Sequence, residues 1–470
     1  MTPAELANVL ALVGVVIAIA ALLSGLVERS GVPQVAIFLA LGAALGPAGL
    51  GALDVGLDSP ALHVVATLSL ALILFTDALG LNLREAREHR GLAALALGPG
   101  TLVSAALFGA AAWWLLELSP PAAAMLGAAL ASTDPVLLKG LLRGPGLPAS
   151  ARHALRLESG LNDVVLLPVV LVALALAGEG TLAPAAWARL GLDLFLLGPG
   201  AGVAVGLFGL ATLDLMRRRV GVRRDYESLY SLAIAFVAFA AAESVHGSGF
   251  LAAFAAGLTI AYFDVELCDC FKEYGETTAE LLLLLTFVLL GGSLIWSGLP
   301  LATGSTLGFA ALVLLARPVI YLAAFAPSRV EWPARRIVAW FGPRGLSSLL
   351  LALLPVFAGA AEGAEIFRVT CLVVLLSIVL HGGTWMWLAR GRATPPGGGA
   401  AEPELVSAEE VRALLAAGDA VVPIDVRKPD PLAESDVQAA GSRRLSLDGA
   451  AADARVLGLP VGAWLVTYCT

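Results

Sequence analysis

The sequence predicts an all-α polytopic membrane protein of about thirteen transmembrane helices, with inverted repeats and two discontinuous helices, followed by a partial α/β cytoplasmic tail. Three observations carry that expectation. Of the 470 residues 59% are hydrophobic and only 14% charged, at a mean hydropathy of +0.87, well outside the composition of water-soluble domains. About thirteen apolar stretches reach the roughly 20 residues a helix needs to cross about 30 Å of hydrocarbon. Two of those stretches are interrupted by proline beside charged residues, at Asp134-Pro135 and Gly342-Pro343-Arg344-Gly345.

The apolar stretches centre near residues 16, 42, 70, 104, 132, 165, 200, 235, 255, 286, 314, 346 and 377. The first has no basic residue ahead of it and no small-residue cleavage site after a charged start, so it is expected to remain a true span rather than a removable signal. Basic residues fall in alternate loops: Arg84, Arg87 and Arg90; Lys139, Arg143, Arg152 and Arg156; Arg217 to Arg219 with Arg223 and Arg224; then Arg329, Arg335, Arg336, Arg390 and Arg392. The opposite loops hold little beyond Arg189 and Arg368. The positive-inside rule puts the basic loops in the cytoplasm, which for an odd span count leaves the N-terminus outside and the C-terminus inside. A multi-pass protein of the cell (inner) membrane is expected. The formal charge of −8 is spread between tail and loops, and nothing in the chain suggests a nucleic-acid partner. Cys268, Cys270, Cys371 and Cys469 do not form a disulfide framework, and Cys268 and Cys270, in a cytoplasmic loop, are expected to be reduced.

After a membrane domain over 1–392, the stretch RATPPGGGAAEPE marks a Pro/Gly linker, taken as 393–404. Beyond it, SAEEVRALLAAGDAVVPIDVRKPD reads as a capped helix and an apolar strand ending at Asp425, and AWLVTYCT as a second strand closing on Cys469. That pattern resembles a rhodanese-like domain, whose active-site loop starts at the cysteine after such a strand. Only one residue follows Cys469, so 405–470 is expected to be a partial domain without its catalytic loop and not an enzyme.

The polar groups inside the spans carry the chemistry. In ESGLNDVVLLPVV, Glu158, Asn162 and Asp163 lie within six residues of an otherwise apolar run. A charge at bilayer depth costs at least roughly 2.5 to 3.5 kcal/mol, so three polar groups in one place point to function rather than packing. On a helix, residues four apart share a face, which stacks Glu158 with Asn162 and Ser159 with Asp163. The Ser159–Asp163 face offers oxygen ligands for a hard cation or a proton. The Glu158–Asn162 face needs a partner against an unpaired buried charge.

In ASTDPVLLKGLL, Asp134 before Pro135 has the pattern of an N-cap with proline at the first helical position, so a helix is expected to restart in mid-membrane. The missing proline N–H frees carbonyls near Ala131 to Thr133 as cation ligands. The second interruption, WFGPRGLSSLLLAL, lies seven spans later, an odd offset that implies opposite orientation. Paired broken helices in inverted repeats mark the midplane binding site of secondary transporters. Arg344, within that second break, is the expected counterion of Glu158.

In combination, Thr133-Asp134-Pro135, Glu158 with Asn162-Asp163, GSGFLAAFAAGL at 247–258 and Gly-Pro-Arg344-Gly resemble the sodium/proton antiporters of the monovalent cation/proton antiporter superfamily, specifically the NhaP-like branch of the CPA1 family, over residues 5 to 390. The resemblance implies the NhaA/NhaP-like fold and a homodimer of thirteen-span protomers, each with a mobile ion-carrying bundle. It implies Asp163 as the ion-binding aspartate, Thr133 and Asp134 as the helix-break pair, and Glu158 and Arg344 as structural charges. Asn162 in place of a second aspartate resembles the electroneutral class. In LILFTDALGLNL an acidic residue often follows the phenylalanine in the family, whereas here Thr76 stands there and Asp77 comes next. Glu243 and His246 are candidates for pH response or simple solvation, and Arg317 for a second buried counterion or a snorkelling cation.

The expected mechanism is competition of a proton and a sodium (or lithium) ion for Asp163, with Ser159 and the Thr133 carbonyl completing the sodium shell. No cofactor beyond the transported Na+ and H+ is expected, and the expected partners are a monovalent cation, protons, the lipid bilayer and a second protomer. Potassium/proton exchange on the same scaffold is one alternative. A membrane sensor signalling through the rhodanese-like tail is another.

Overall fold

The computed structural model describes residues 34–390 apart from 82, 144–146, 180–182 and 264, isolated positions before residue 34, and short segments beyond residue 390, of which 421–426, 441–445 and 464–468 are the longest. The chain divides into two compact units, Met1–Arg392 and Ala393–Thr470.

The first unit is helical. Helices α1 (Gln34–Leu45), α2 (Pro60–Gly80) and α3 (Leu83–Glu88) precede α4 (Arg90–Leu95), which continues through a π-helical stretch, Ala96–Leu102, into α5 (Val103–Leu115). Pro99 lies inside that stretch, where its missing N–H loosens the hydrogen-bond ladder. Then come α6 (Pro120–Ala131), α7 (Pro135–Arg143), α8 (Ala149–Glu179), α9 (Pro184–Leu192), a second π-helical stretch Asp193–Leu197, and α10 (Gly198–Arg219). Helices α11 (Arg224–Ser244), α12 (Gly249–Phe263), α13 (Val265–Gly292) with the 3₁₀ segment Leu294–Leu301, α14 (Gly304–Ala324), α15 (Trp332–Trp340), α16 (Leu346–Phe357) and α17 (Gly363–Arg390) complete the unit.

Six helices or helix runs are long and apolar enough to cross a membrane: Pro60–Gly80, Arg90–Leu115, Ala149–Gly178, Pro184–Arg219, Gly304–Ala324 and Gly363–Thr384. A seventh results when Thr278–Gly292 and Leu294–Leu301, bent by 49°, count together. Among the described residues this falls short of the thirteen expected from apolar stretches, for a physical reason. Five further apolar helices, Gln34–Leu45, Pro120–Ala131, Leu229–Ser244, Gly249–Phe263 and Leu346–Phe357, are described over only 10–17 residues each, and two of them, Pro120–Ala131 and Leu346–Phe357, adjoin the helix breaks. The expected span near residue 16 lies mostly outside the described residues.

Both predicted interruptions are present. Helix α6 ends at Ala131 and α7 starts at Pro135, while α15 ends at Trp340 and α16 starts at Leu346. The halves come in mirrored order: apolar α6 precedes α7, with Lys139 and Arg143 in its sequence, and α15, with Arg335 and Arg336, precedes apolar α16. Helix α6 is held against α5 at Gly127, where a Cβ would fall 2.4 Å from the Ala105 carbonyl oxygen, so only glycine allows that approach.

The second unit contains a parallel three-stranded sheet in the order β2–β1–β3, formed by β1 (Val421–Asp425), β2 (Arg443–Arg444) and β3 (Trp464–Tyr468). The strands expected near Asp425 and Trp464 are both there, with Asp425 opposite Tyr468. The linker 393–404, Cys469, and the side chains of Cys268 and Cys270 lie outside the described residues, and Cys371 is a buried free thiol.

Candidate functional site

The two chain breaks meet and satisfy each other. A helix C-terminus leaves carbonyls without partners and carries a partial negative charge; an N-terminus leaves N–H groups and a partial positive charge. At the end of α6 the Arg344 guanidinium donates through Nη1 to the carbonyls of Ala131 and Ser132, both at 2.9 Å. At the start of α16 the Leu346 N–H donates to Asp134 Oδ2 at 2.7 Å. The Asp134 N–H reaches the Pro343 carbonyl at 2.9 Å, and Ser348 Oγ donates to the Ser132 carbonyl at 3.3 Å. Gly345 makes the crossing feasible, since a Cβ there would lie 2.0 Å from Asp134 Oδ2. Asp134 Oδ2 thus caps the start of α16, a role its place before Pro135 does not reveal. The freed carbonyls are likewise partly taken, two by Arg344 and that of Thr133 by Asn162 Nδ2 at 3.3 Å.

Asp163, on α8, faces this crossing. It is 2% exposed. Its Oδ1 accepts from Ser132 Oγ at 2.5 Å, its Oδ2 is buried without a protein hydrogen bond, and Ser347 stands beside the group. A buried carboxylate oxygen left open by the protein is suited to take a cation or a proton, because burial without a partner is costly. Ser132 was not singled out from the sequence. Its only signal there was its place beside Thr133 in the stretch where helix geometry fails.

The other face of α8 holds the buried ion pair, and here the sequence expectation is wrong. Arg317, not Arg344, pairs with Glu158: Nη1 meets Oε1 at 2.8 Å and Nη2 meets Oε2 at 2.9 Å, a fork-to-fork contact between side chains 2% and 1% exposed. Tyr321, one turn along α14, donates its hydroxyl to Glu158 Oε1 at 2.8 Å, and the Arg317 guanidinium lies 3.9 Å from the centre of its ring. Thr101 Oγ1 is 3.2 Å from the Tyr321 hydroxyl. Thr133 Oγ1 contacts Glu158 at 3.4 Å and accepts from Asn162 Nδ2 at 2.7 Å, so Glu158 and Asn162 do share a face as predicted. Gly342 makes room for this pair, because a Cβ there would come within 1.9 Å of Arg317 Nε. Arg344 is held at its own break: its N–H donates to Ser377 Oγ at 2.8 Å, which is 3.1 Å from His381 Nδ1.

Ser159, expected as a ligand, sends its hydroxyl to the Arg156 carbonyl at 3.4 Å and lines a cavity of about 240 Å³. Asp134 and Ser347, from the two breaks, share that lining with Thr76, Asp77, Arg156 and Glu280. The cavity thus joins the crossing to polar residues beyond it. Glu243 accepts from the Gly249 N–H at 3.0 Å at the start of α12, and His246 is exposed in a left-handed turn at φ 62°. Neither touches the crossing.

Comparison with known proteins agrees with this architecture. At a TM-score of 0.66 and 21% identity, the fold matches the sodium proton antiporter MjNhaP1 from Methanocaldococcus jannaschii, covering 81% of this chain and all of that one. The sequence is 26% identical over 373 residues to a K(+)/H(+) antiporter NhaP of Alkalimonas amylolytica and 29% identical over 393 residues to a K(+)/H(+) antiporter NhaP2 of Shewanella oneidensis, in each case over 79% of this chain. The chain spans 64% and 65% of the length of those two relatives. It is also 28% identical over 295 residues, 60% of this chain and 72% of the relative, to the Na(+)/H(+) antiporter NhaH of Halobacillus dabanensis. The family model for the sodium/hydrogen exchanger transmembrane domain matches residues 15–391, a span that takes in both breaks, Asp163 and the Glu158–Arg317 pair, and the chain belongs to that family.

Proposed function

We propose that the protein is a secondary active antiporter that exchanges a monovalent cation for protons, both competing for Asp163. The observation that carries this reading is the buried Asp163 carboxylate, with one oxygen on Ser132 and the other open, set against two crossing helix breaks. The breaks supply fixed dipoles and backbone oxygens at depth without exposing unsatisfied backbone to lipid. Ser132 Oγ and the Ser347 hydroxyl, both beside Asp163, together with the second lone pair of the Thr133 carbonyl, are the neutral oxygens we assign to a cation on Asp163; Ser159 belongs to the approach cavity.

Coupling follows from charge. With a cation or a proton the site is neutral; empty, it is an anion at bilayer depth, disfavoured by at least roughly 2.5 to 3.5 kcal/mol. Only loaded forms then change accessibility at a useful rate, so each cation carried one way is balanced by a proton carried the other. Glu158 is committed to Arg317 and Asn162 cannot titrate, which leaves one exchangeable charge at this position of α8 and favours one-for-one, electroneutral exchange. Sodium or lithium is the cation we propose first, and potassium stays open because relatives named for either ion match the chain. The basic loops are placed in the cytoplasm of the cell-membrane protein, the short apolar helices are taken to complete thirteen spans in inverted repeats, and a homodimer is the working assembly.

The test is reconstitution into proteoliposomes with an imposed proton gradient. Sodium, lithium or potassium should dissipate the gradient for the wild type, and the most effective ion names the cargo. Asp163→Asn should remove the flux with all three while the protein still purifies as a folded species. Sustained cation-driven proton flux through Asp163→Asn would overturn the reading.

A further inference from the structure

Helix α12 carries one apolar stripe that is buried at its start, at Leu251, Phe254 and Ala255, and exposed at its end, at Tyr262 and Phe263. Leu251, Phe254, Ala255, Leu258, Tyr262 and Phe263, spaced three and four apart, line one wall of a cavity of about 780 Å³. Val164 and Pro168 of α8 form a second wall, and Phe195, Pro199 and Val203, from the π-helical stretch into α10, a third. Thr259, the polar member of the stripe, satisfies its hydroxyl on the Ala255 carbonyl at 2.7 Å, so the groove makes no hydrogen-bonding demand along its length. At about 1.5 Å per residue, Leu251 to Phe263 extends about 18 Å, close to the roughly 15 Å of hydrocarbon in one leaflet.

One end of the groove is different. Arg87 of α3 lines it, and a contiguous cavity of about 400 Å³ brings Leu83, Arg87 and Glu88 together with Ala261 and Tyr262. Tyr262 and Phe263 are more than half exposed at this end. A guanidinium at the head of an apolar channel one leaflet long matches a phosphate above an acyl chain, and Arg87 lies in a stretch where Arg84, Arg87 and Arg90 alternate with Glu85 and Glu88.

We infer that this groove is a phospholipid site: one acyl chain fills the channel along α12 and the lipid phosphate is held by Arg87. The lipid touches the helix that carries the ion site, because Val164 follows Asp163 directly on α8. The site stands whether or not the exchange reading does, since lipid binding is measured without transport.

The experiment titrates delipidated full-length protein in detergent with dioleoyl phosphatidylglycerol and counts bound lipid by native mass spectrometry. The wild type should retain one tight equivalent. Arg87→Ala, losing a charged hydrogen bond to phosphate, should weaken that equivalent by roughly tenfold or more, whereas Arg90→Ala should not. Ala255→Phe, which fills the channel while keeping Arg87, should abolish it. Equal retention by wild type, Arg87→Ala and Ala255→Phe would overturn the site. So would a loss of self-association in Ala255→Phe with lipid binding unchanged, which would make the groove a surface between protomers.

Discussion

At the scale of single residues, Glu158 and Arg317 form a buried ion pair that is costly to break. Arg317→Ala leaves a carboxylate 1% exposed without its cation, and removing one partner of such a pair costs roughly 3 to 5 kcal/mol. Thermal unfolding of detergent-purified protein should show a marked loss for Arg317→Ala, partly regained when Glu158→Gln is combined with Arg317→Gln. The cycle between Glu158 and Arg344 should show little coupling; a Glu158–Arg344 coupling as large as the Glu158–Arg317 one would contradict the geometry. This is also where the sequence misleads. It shows one buried glutamate and two intramembrane arginines, and Arg344 looks like the partner because it lies in the Gly-Pro-Arg-Gly break. A break, however, exposes carbonyls, and those of Ala131 and Ser132 take the Arg344 guanidinium, whereas Arg317, on an unbroken helix, keeps its fork on Glu158 while its Nη2 also reaches the Val338 and Phe341 carbonyls. Ser132 escaped notice for a related reason. Helical spacing correctly stacks Ser159 on Asp163, but the hydroxyl that reaches the carboxylate comes from non-helical chain, where periodicity carries no information. Ser132→Ala should therefore weaken apparent cation affinity in exchange assays more than Ser159→Ala does, and the reverse order would restore Ser159 as the ligand.

At the scale of elements, the breaks were legible because proline and glycine act locally. Asp-Pro stops one helix and starts another, and Gly-Pro-X-Gly cannot continue a helix at all, so both interruptions are readable from a few residues each. That the breaks cap each other was not legible, since it depends on two segments about 200 residues apart meeting with opposite dipoles. The full span count also could not be settled from apolar runs, because hydropathy does not report where a short helix stops. The reciprocal capping makes a testable demand on Gly345. A methyl group there meets Asp134 Oδ2 at 2.0 Å, whereas Gly304, at the start of α14, has nothing within 4 Å of a built Cβ. Gly345→Ala should lower the unfolding temperature and impair exchange, and Gly304→Ala should do neither. Asp134→Ala removes the cap of α16, a loss of about 0.5 to 2 kcal/mol, and Asp134→Asn, which keeps an acceptor oxygen, should recover most of that stability. If Asp134→Asn is as unstable as Asp134→Ala, the carboxylate has another role at the crossing.

At the scale of the whole molecule, the composition places the chain in a membrane, and under the proposed exchange that membrane would make a single carboxylate a coupling device. An empty Asp163 moving through hydrocarbon is disfavoured by roughly a hundredfold relative to a neutral site, if the charge costs about 2.5 to 3.5 kcal/mol. Leak is then suppressed by the same burial that leaves Oδ2 without a protein partner. If proton and cation compete for this one group, as proposed, the pH behaviour follows. At pH values above the Asp163 pKa the carboxylate is available to the cation, so apparent cation affinity should be level with pH. Below it, each unit of acidification makes the proton tenfold more abundant at the same oxygens, so apparent affinity should weaken about tenfold per pH unit. Ser132→Ala takes away a cation ligand and also the hydroxyl that donates to Asp163 Oδ1, so it should shift this curve to higher cation concentration at every pH, most on the acid side, where the slope stays about tenfold per unit. Exchange measured against cation concentration at several pH values, for wild type and Ser132→Ala, checks both statements. An apparent affinity that did not change between acid and alkaline pH would place proton and cation on separate groups. Exchange would then have to be coupled by a conformational link between two sites rather than by occupancy of one.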